Sequence, residues 1–136
     1  LAQSALDFAT AHARERAYAH TGQVLAEVPA IQARIADMWL AVQQARYMIY
    51  QAADRGDLQA PDALPFILAA KALAADAAVN VTNEAMTVTG GQGYRENSML
   101  WTLLHDARAS HVMSPTTDML KQWLGRDLLG LPLLAP

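Results

Sequence analysis

The stretch Thr87–Asp106, TVTGGQGYRENSMLWTLLHD, joins two helical patterns through a glycine cluster. An alanine-rich run enters it, Gly90-Gly91-Gln92-Gly93-Tyr94 breaks that run, and a second helical pattern leaves. Glycines packed this densely let the backbone take positive φ and approach another group closely. No strand pattern precedes them, so this is not the turn of a dinucleotide-binding βαβ unit. It reads as a helix exit with something set against it.

Working outward toward the N-terminus, the alanine-rich run carries Ile67, Ala70, Ala74, Ala77, Val81, Ala85 and Val88 at helical spacing. Asp62 suits its N-cap, Pro65 is tolerated in the first turn, and the small side chains allow close helix–helix approach. Before it, Ile31, Ile35, Met38, Val42, Ala45, Ile49 and Ala52 mark a helix from about Ala30 to Arg55, closed by Gly56. Asp57–Leu64, with Pro61, is a polar loop. A first helix spans Ala2 to about His20, with Ala5, Phe8, Ala9, His12 and Ala13 on one side and Thr21-Gly22 as its stop. Gln23–Pro29 connects the two.

Toward the C-terminus, Asn97 or Ser98 caps a fourth helix whose inward set is Met99, Leu103 and Ala107. Ser114 then fits an N-cap and Pro115 an N1 position, where a missing N–H costs nothing. The last helix runs Thr116–Leu129 and stops at Gly130 and Pro132. No run alternates with period two. The expected fold is therefore all-α: one antiparallel, up-down bundle of four helices with an additional short C-terminal helix, covering 1–136.

At 136 residues the chain is long enough to bury a real core. Apolar residues make up 53% and charged ones 17%, against about 25% charged in ordinary soluble domains. The surplus apolar surface points to a face covered by another subunit or domain. A net charge of −3 gives no electrostatic footprint for nucleic acid, and the lack of cysteine excludes disulfide and thiolate chemistry. No unbroken apolar run reaches the roughly 18 residues of a membrane span, so none is expected. No basic start precedes an apolar block, so no signal peptide is read and a cytoplasmic location is expected. The chain starts without methionine inside a helical pattern, the mark of an excised domain.

The histidines are eight apart (His12, His20) and six apart (His105, His111), not at the i, i+4 spacing that converges two imidazoles on one ion. No metal site is expected. Ser114, His111 and Asp118 have the residue types of a hydrolytic triad, but capping explains Ser114 and a helix N-terminus explains Asp118. Two turns remain. Met113–Asp118 is a helix start offering N–H groups and hydroxyls, and Gly90–Gly93 is a helix exit stripped of side chains. A phosphate-bearing ligand suits either, although simple capping explains both.

In this order and spacing, several marks together resemble the C-terminal helical domain of the acyl-CoA dehydrogenase family, over almost the whole chain. They are the Gly-Gly-x-Gly-Tyr turn after an alanine-rich helix, Asp106-Ala107-Arg108, and the threonine that opens the last helix. The leading half adds Arg14-Glu15-Arg16, Thr21-Gly22, Pro29-Ala30-Ile31-Gln32 and Ile35-Ala36-Asp37-Met38. The resemblance implies a flavoprotein whose upstream domains, lacking here, hold most of the FAD and acyl-CoA. In such a flavoprotein a carboxylate removes the α-proton of the thioester and flavin N5 takes the β-hydride. It further implies that this domain makes homo- or hetero-oligomer contacts and reaches a neighbouring subunit's FAD. Gly90, Gly91 and Gly93 would lie near that cofactor, with Thr116 and Asp118 where family members contact FAD.

The departures from the family pattern matter equally. Its commonest catalytic base is a glutamate followed by glycine, where this chain has Ser114 and Pro115. An unassisted hydroxyl is far too weak a base near neutral pH. Other members carry the base on the first helix of this domain, upstream of Leu1. A flavin-contacting arginine and glutamine of the family become Tyr18 and Thr87. Tyrosine does not supply a guanidinium's bidentate contact. The family's phenylalanine before glycine becomes Thr21, and its arginine before Asp106 becomes His105. Three functions follow: a working acyl-CoA dehydrogenase, a non-catalytic partner subunit of a heteromeric one, or a flavin monooxygenase on the same fold.

Overall fold

The computed structural model describes residues 1–134. Five helices follow in order: α1 (Ala2–Glu15), α2 (Pro29–Asp57), α3 (Ala63–Thr89), α4 (Met99–Val112) and α5 (Thr117–Leu128). Short 3-10 turns occupy Leu25–Glu27 and Gly90–Gln92, and among the described residues there is no strand beyond one isolated bridge between Ala17 and Val24. The all-α reading holds.

The arrangement is centred on one helix. α3 packs against α1, α2, α4 and α5. The alanines at 70, 72, 75, 77, 78 and 85, with Leu68, Val81 and Val88, are buried around much of its circumference rather than along one stripe. Alanine at these positions lets four neighbours approach, which a single amphipathic stripe cannot do. α2 runs antiparallel beside α3: Arg34 pairs with Glu84 near one end, and Arg55 stacks on Phe66 at the other, 3.9 Å from the ring centroid. α4 returns antiparallel too, bringing Leu100 into the cluster of Val81, Ala85 and Val88 while His111 reaches Asp76.

Several local expectations need correction. α1 stops at Glu15, not His20: Arg16 is extended, and Tyr18 and Gln23 close a small loop by a 2.9 Å backbone bond from Tyr18 N–H. Gly22, at φ 70°, serves that loop rather than a helix end. α2 continues through Gly56 to Asp57, and the positive φ after it belongs to Gln59. Asp62 occupies the N-cap position of α3 but makes no capping bond, because its carboxylate is taken by Arg55 at 2.5 Å. Ile49, Ile67 and Met99 were assigned inward and are nearly half exposed; Leu68 and Leu100, each one residue further on than Ile67 and Met99, are buried instead. Ser98 does cap α4, its Oγ accepting from Leu100 N–H at 3.2 Å.

α3 and its 3-10 continuation (Ala63–Gln92) form one helix that is long and apolar enough to cross a membrane, with mean hydropathy 1.5 in its most apolar window. This corrects the expectation of no span, which rests on the length of unbroken apolar runs: Lys71 and Asp76 interrupt the run, but alanine and valine outweigh them in the average. Both charges bind other elements of the fold near its surface.

Candidate functional site

The glycine turn is built on three different demands. Gly90 ends α3 with φ 58° and ψ −141°, a region that a side chain makes costly. Gly93 has an ordinary φ of −69° but is buried, and an added Cβ would fall 2.0 Å from Thr89 Oγ1 and 3.1 Å from Leu100 Cδ1. Its hydrogen is what allows the turn to fold under Leu100. Thr89 Oγ1 fills that space while donating to the carbonyl of Ala85 at 2.8 Å. Gly91 differs from both. It is exposed, its φ is not positive, and an added Cβ would meet nothing within 4 Å. Nothing in the fold of this chain requires glycine there.

The second turn differs from its sequence reading. Ser114 is not the N-cap of α5. Thr116 is, its Oγ1 accepting from Met119 N–H at 3.3 Å, while Ser114 is exposed and precedes a cis peptide bond to Pro115. Two intervening residues separate the earlier assignment from the start of the helix at Thr117. Asp118 lies in the first turn, exposed, where the helix field favours a carboxylate. Because Thr116 Oγ1 already accepts a bond, its hydroxyl proton remains available to a ligand acceptor.

The two turns do not meet. They sit at opposite ends of α4, whose 14 residues span about 21 Å. One compact ligand cannot touch both within this chain.

No hydrolytic triad assembles. His111 Nδ1 lies 2.8 Å from Arg108 NH1 and so acts as acceptor, while Nε2 faces Asp76 Oδ1 at 3.3 Å, off the line of a good hydrogen bond. Neither nitrogen is directed to Ser114. Among the described residues no three metal-ligating side chains come together.

Thr87 and Tyr18, which the resemblance sets at flavin-contacting positions, lie apart from each other in sequence and are both on the surface. Thr87 is exposed and its hydroxyl bonds back to the carbonyl of Asn83 at 3.2 Å. Tyr18 is 38% exposed beside His20, with ring centroids 5.7 Å apart. A groove of about 1020 Å³ lies between α1 and α2 and is lined by Leu6, Ile35, Trp39 and Leu40; none of residues 87–118 borders it.

Sequence reasoning missed the role of the α3 charges. Lys71 Nζ donates to the Pro115 carbonyl at 2.9 Å, and Asp76 Oδ2 accepts from Lys121 Nζ at 2.8 Å. With Glu84, which pairs with Arg34, each of the three charges on this helix binds another element. The available signal was their isolation: an aspartate and a lysine amid alanines need a partner.

The helix order, the glycine turn and the threonine-capped last helix define an all-α helical domain built around α3, and comparison makes it particular. The family model for the acyl-CoA dehydrogenase C-terminal domain matches residues 1–129. The chain thus belongs to the acyl-CoA dehydrogenase family, as its C-terminal domain. It is 35% identical over 130 residues to the "Probable acyl-CoA dehydrogenase FadE25" of Mycobacterium tuberculosis, covering 95% of this chain and 33% of that protein. Butyryl-CoA dehydrogenase from Megasphaera elsdenii superposes with a TM-score of 0.87 at 29% identity, over 94% of this chain and 33% of that one. The FAD complex of PigA superposes with a TM-score of 0.85 at 28% identity, over 96% and 33%. The chain spans about a third of the length of these relatives.

Proposed function

We propose that this chain is the C-terminal domain of a cytoplasmic, FAD-dependent enzyme that dehydrogenates an acyl-CoA thioester. In that role it supplies oligomer contacts and presents its glycine turn to a neighbouring subunit's FAD. The observation that carries the reading is Gly91, a glycine without any internal reason to be one. Exposed Gly56 is equally unconstrained, so the weight lies on the position of Gly91, beside Gly90 at the end of α3, where a bare backbone leaves room for a group approaching from outside. FAD, when bound, would supply the hydride acceptor. Gly90 and Gly91 would let it approach the end of α3. Gly93, expected beside the cofactor, has its space filled by Thr89 and Leu100 and would act by shaping the turn. Thr116 would offer its free hydroxyl proton, and Asp118 lies on the same turn of α5.

The chain's own residues do not complete the chemistry. Ser114 is exposed, with no base beside it, so α-proton removal falls to a carboxylate elsewhere in the protein. That same serine supports a second reading, a non-catalytic subunit paired with a competent relative. Thr87 and Tyr18 agree with it.

The test uses the full-length protein. Gly91→Val should leave the melting temperature of the flavin-free protein unchanged and lower FAD affinity. Equal FAD affinity in both proteins would refute the assignment of Gly91. Acyl-CoA turnover with an artificial electron acceptor would exclude the partner-subunit reading; flavin uptake only upon co-expression with a relative would exclude the homomeric enzyme.

A further inference from the structure

Two hydrogen-bonded tethers and one looser polar contact run from α3 to the segment around Thr116. Lys71 holds the Pro115 carbonyl inside the turn, at 2.9 Å. One oxygen of Asp76 faces His111, in the last turn of α4, at 3.3 Å; the other accepts from Lys121, in α5, at 2.8 Å. The contacts thus fall before, within and after the turn that carries Ser114, Thr116 and Asp118. All start from α3, which also packs against every other helix.

The placement is not what stability alone would choose. The apolar seat of α5 is Leu120 against Leu68 and Ala72, with Trp123 and Leu124 beside it, and its burial contributes to docking the helix. None of these apolar contacts involves residues 113–116 of the turn. A lysine bonded to a backbone carbonyl fixes a main-chain position, which a hydrophobic contact one turn further along does not. Asp76 is about 30% exposed, and two side chains, His111 and Lys121, converge on its carboxylate. Lys121 has its pKa raised by its hydrogen bond to this carboxylate, so it stays charged.

We propose that Lys71 and Asp76 are positioning residues that set where the Thr116 hydroxyl stands, and through it how tightly the proposed FAD is held; the second half rests on the function proposed above. Neither touches the cofactor in this scheme.

The experiment uses the full-length protein with Lys71→Met, Lys71→Arg and Asp76→Asn. Methionine keeps most of the stem and removes the donor, while arginine keeps a donor. Hydrogen exchange of the amides from Thr116 to Leu120 reads the tether directly, and FAD titration reads its consequence. Lys71→Met and Asp76→Asn should each speed exchange in that segment and weaken FAD binding by roughly 3- to 10-fold, the range expected for one lost hydrogen bond. Lys71→Arg should restore most of both. Faster exchange with unchanged FAD affinity would reduce the tethers to a purely structural role and overturn the proposal. Unchanged exchange would overturn it outright. If the wild-type protein takes up no FAD, the proposed function fails together with the FAD half of this proposal, and the exchange data still decide whether the tether exists.

Discussion

Gly93→Ala isolates the physical content of the glycine turn. At φ −69° and ψ −27° the backbone suits any residue, so alanine should stabilise by about 0.4–1 kcal/mol through loss of unfolded-state freedom. Against this, the new Cβ falls 2.0 Å from Thr89 Oγ1. Thr89 must swing its hydroxyl away from the Ala85 carbonyl, losing a bond of about 1 kcal/mol, or Leu100 and the turn must shift, at the ~1–3 kcal/mol typical of overpacking. Set against the gain in the unfolded state, the net expectation is a loss of up to about 2.5 kcal/mol. The clash has one owner, which makes it testable by a cycle. In a Thr89→Ala background the nearest atoms to the new Cβ are 3.1–3.2 Å away, and neighbours need give only slightly. There Gly93→Ala should cost under about 1 kcal/mol, leaving a coupling energy of roughly 1–2 kcal/mol. Urea unfolding of the four proteins, followed by circular dichroism, measures it. Additive losses, or a Gly93→Ala protein as stable as Gly91→Ala, would show that the turn is not packed as described.

Thr117 Oγ1 is buried without a partner, so Thr117→Val, which keeps the shape, should be neutral or stabilising by up to about 1 kcal/mol in the same assay; a loss above that would reveal a bond the structure lacks. His12 has its pKa lowered, first by burial and then by Arg16. Its folded form resists protonation, so the unfolded state binds more protons and stability falls as pH drops through about 6.5. His12→Gln should flatten that part of the urea-midpoint profile, and an unaltered profile would remove His12 as its source. Ser114→Glu places a carboxylate at the family's base position but leaves Pro115, Tyr18 and Thr87 in place. Stopped-flow flavin reduction by acyl-CoA should change by less than about tenfold, whereas a gain of the ~100-fold or more expected of a working general base would show that the serine alone limits the chemistry.

Much of this was legible in sequence. Helix existence and order followed from 3.6-residue periodicity, and Ser98 and the Gly90 exit followed from capping chemistry. Faces were harder. A stripe argument assigns one inward side, whereas α3 has neighbours around most of its surface, so Ile67 and Leu68 could not be ranked by period. The α1 boundary failed because the Arg16–Gln23 segment contains alanine and tyrosine compatible with helix, while the structure extends it to close a loop through Tyr18 and Gln23. Ser114 and Thr116 are both good caps, and sequence alone does not choose between them two residues apart. The glycines looked equivalent. Only the space around each separates Gly90, which needs positive φ, from Gly93, which needs room, and from Gly91, which needs neither. The tethers from Lys71 and Asp76 depend on residues about 40 positions away, beyond the reach of any local pattern.

The central claim is that this domain completes an FAD site for acyl-CoA dehydrogenation. It is tested most directly by anaerobic titration of the full-length, flavin-loaded protein with acyl-CoA substrates of graded chain length, following flavin absorbance. The account predicts bleaching of the oxidised flavin with at least one acyl-CoA and release of the corresponding enoyl product. A protein that holds FAD yet keeps it oxidised with every acyl-CoA, alone and with a co-expressed relative, would contradict it.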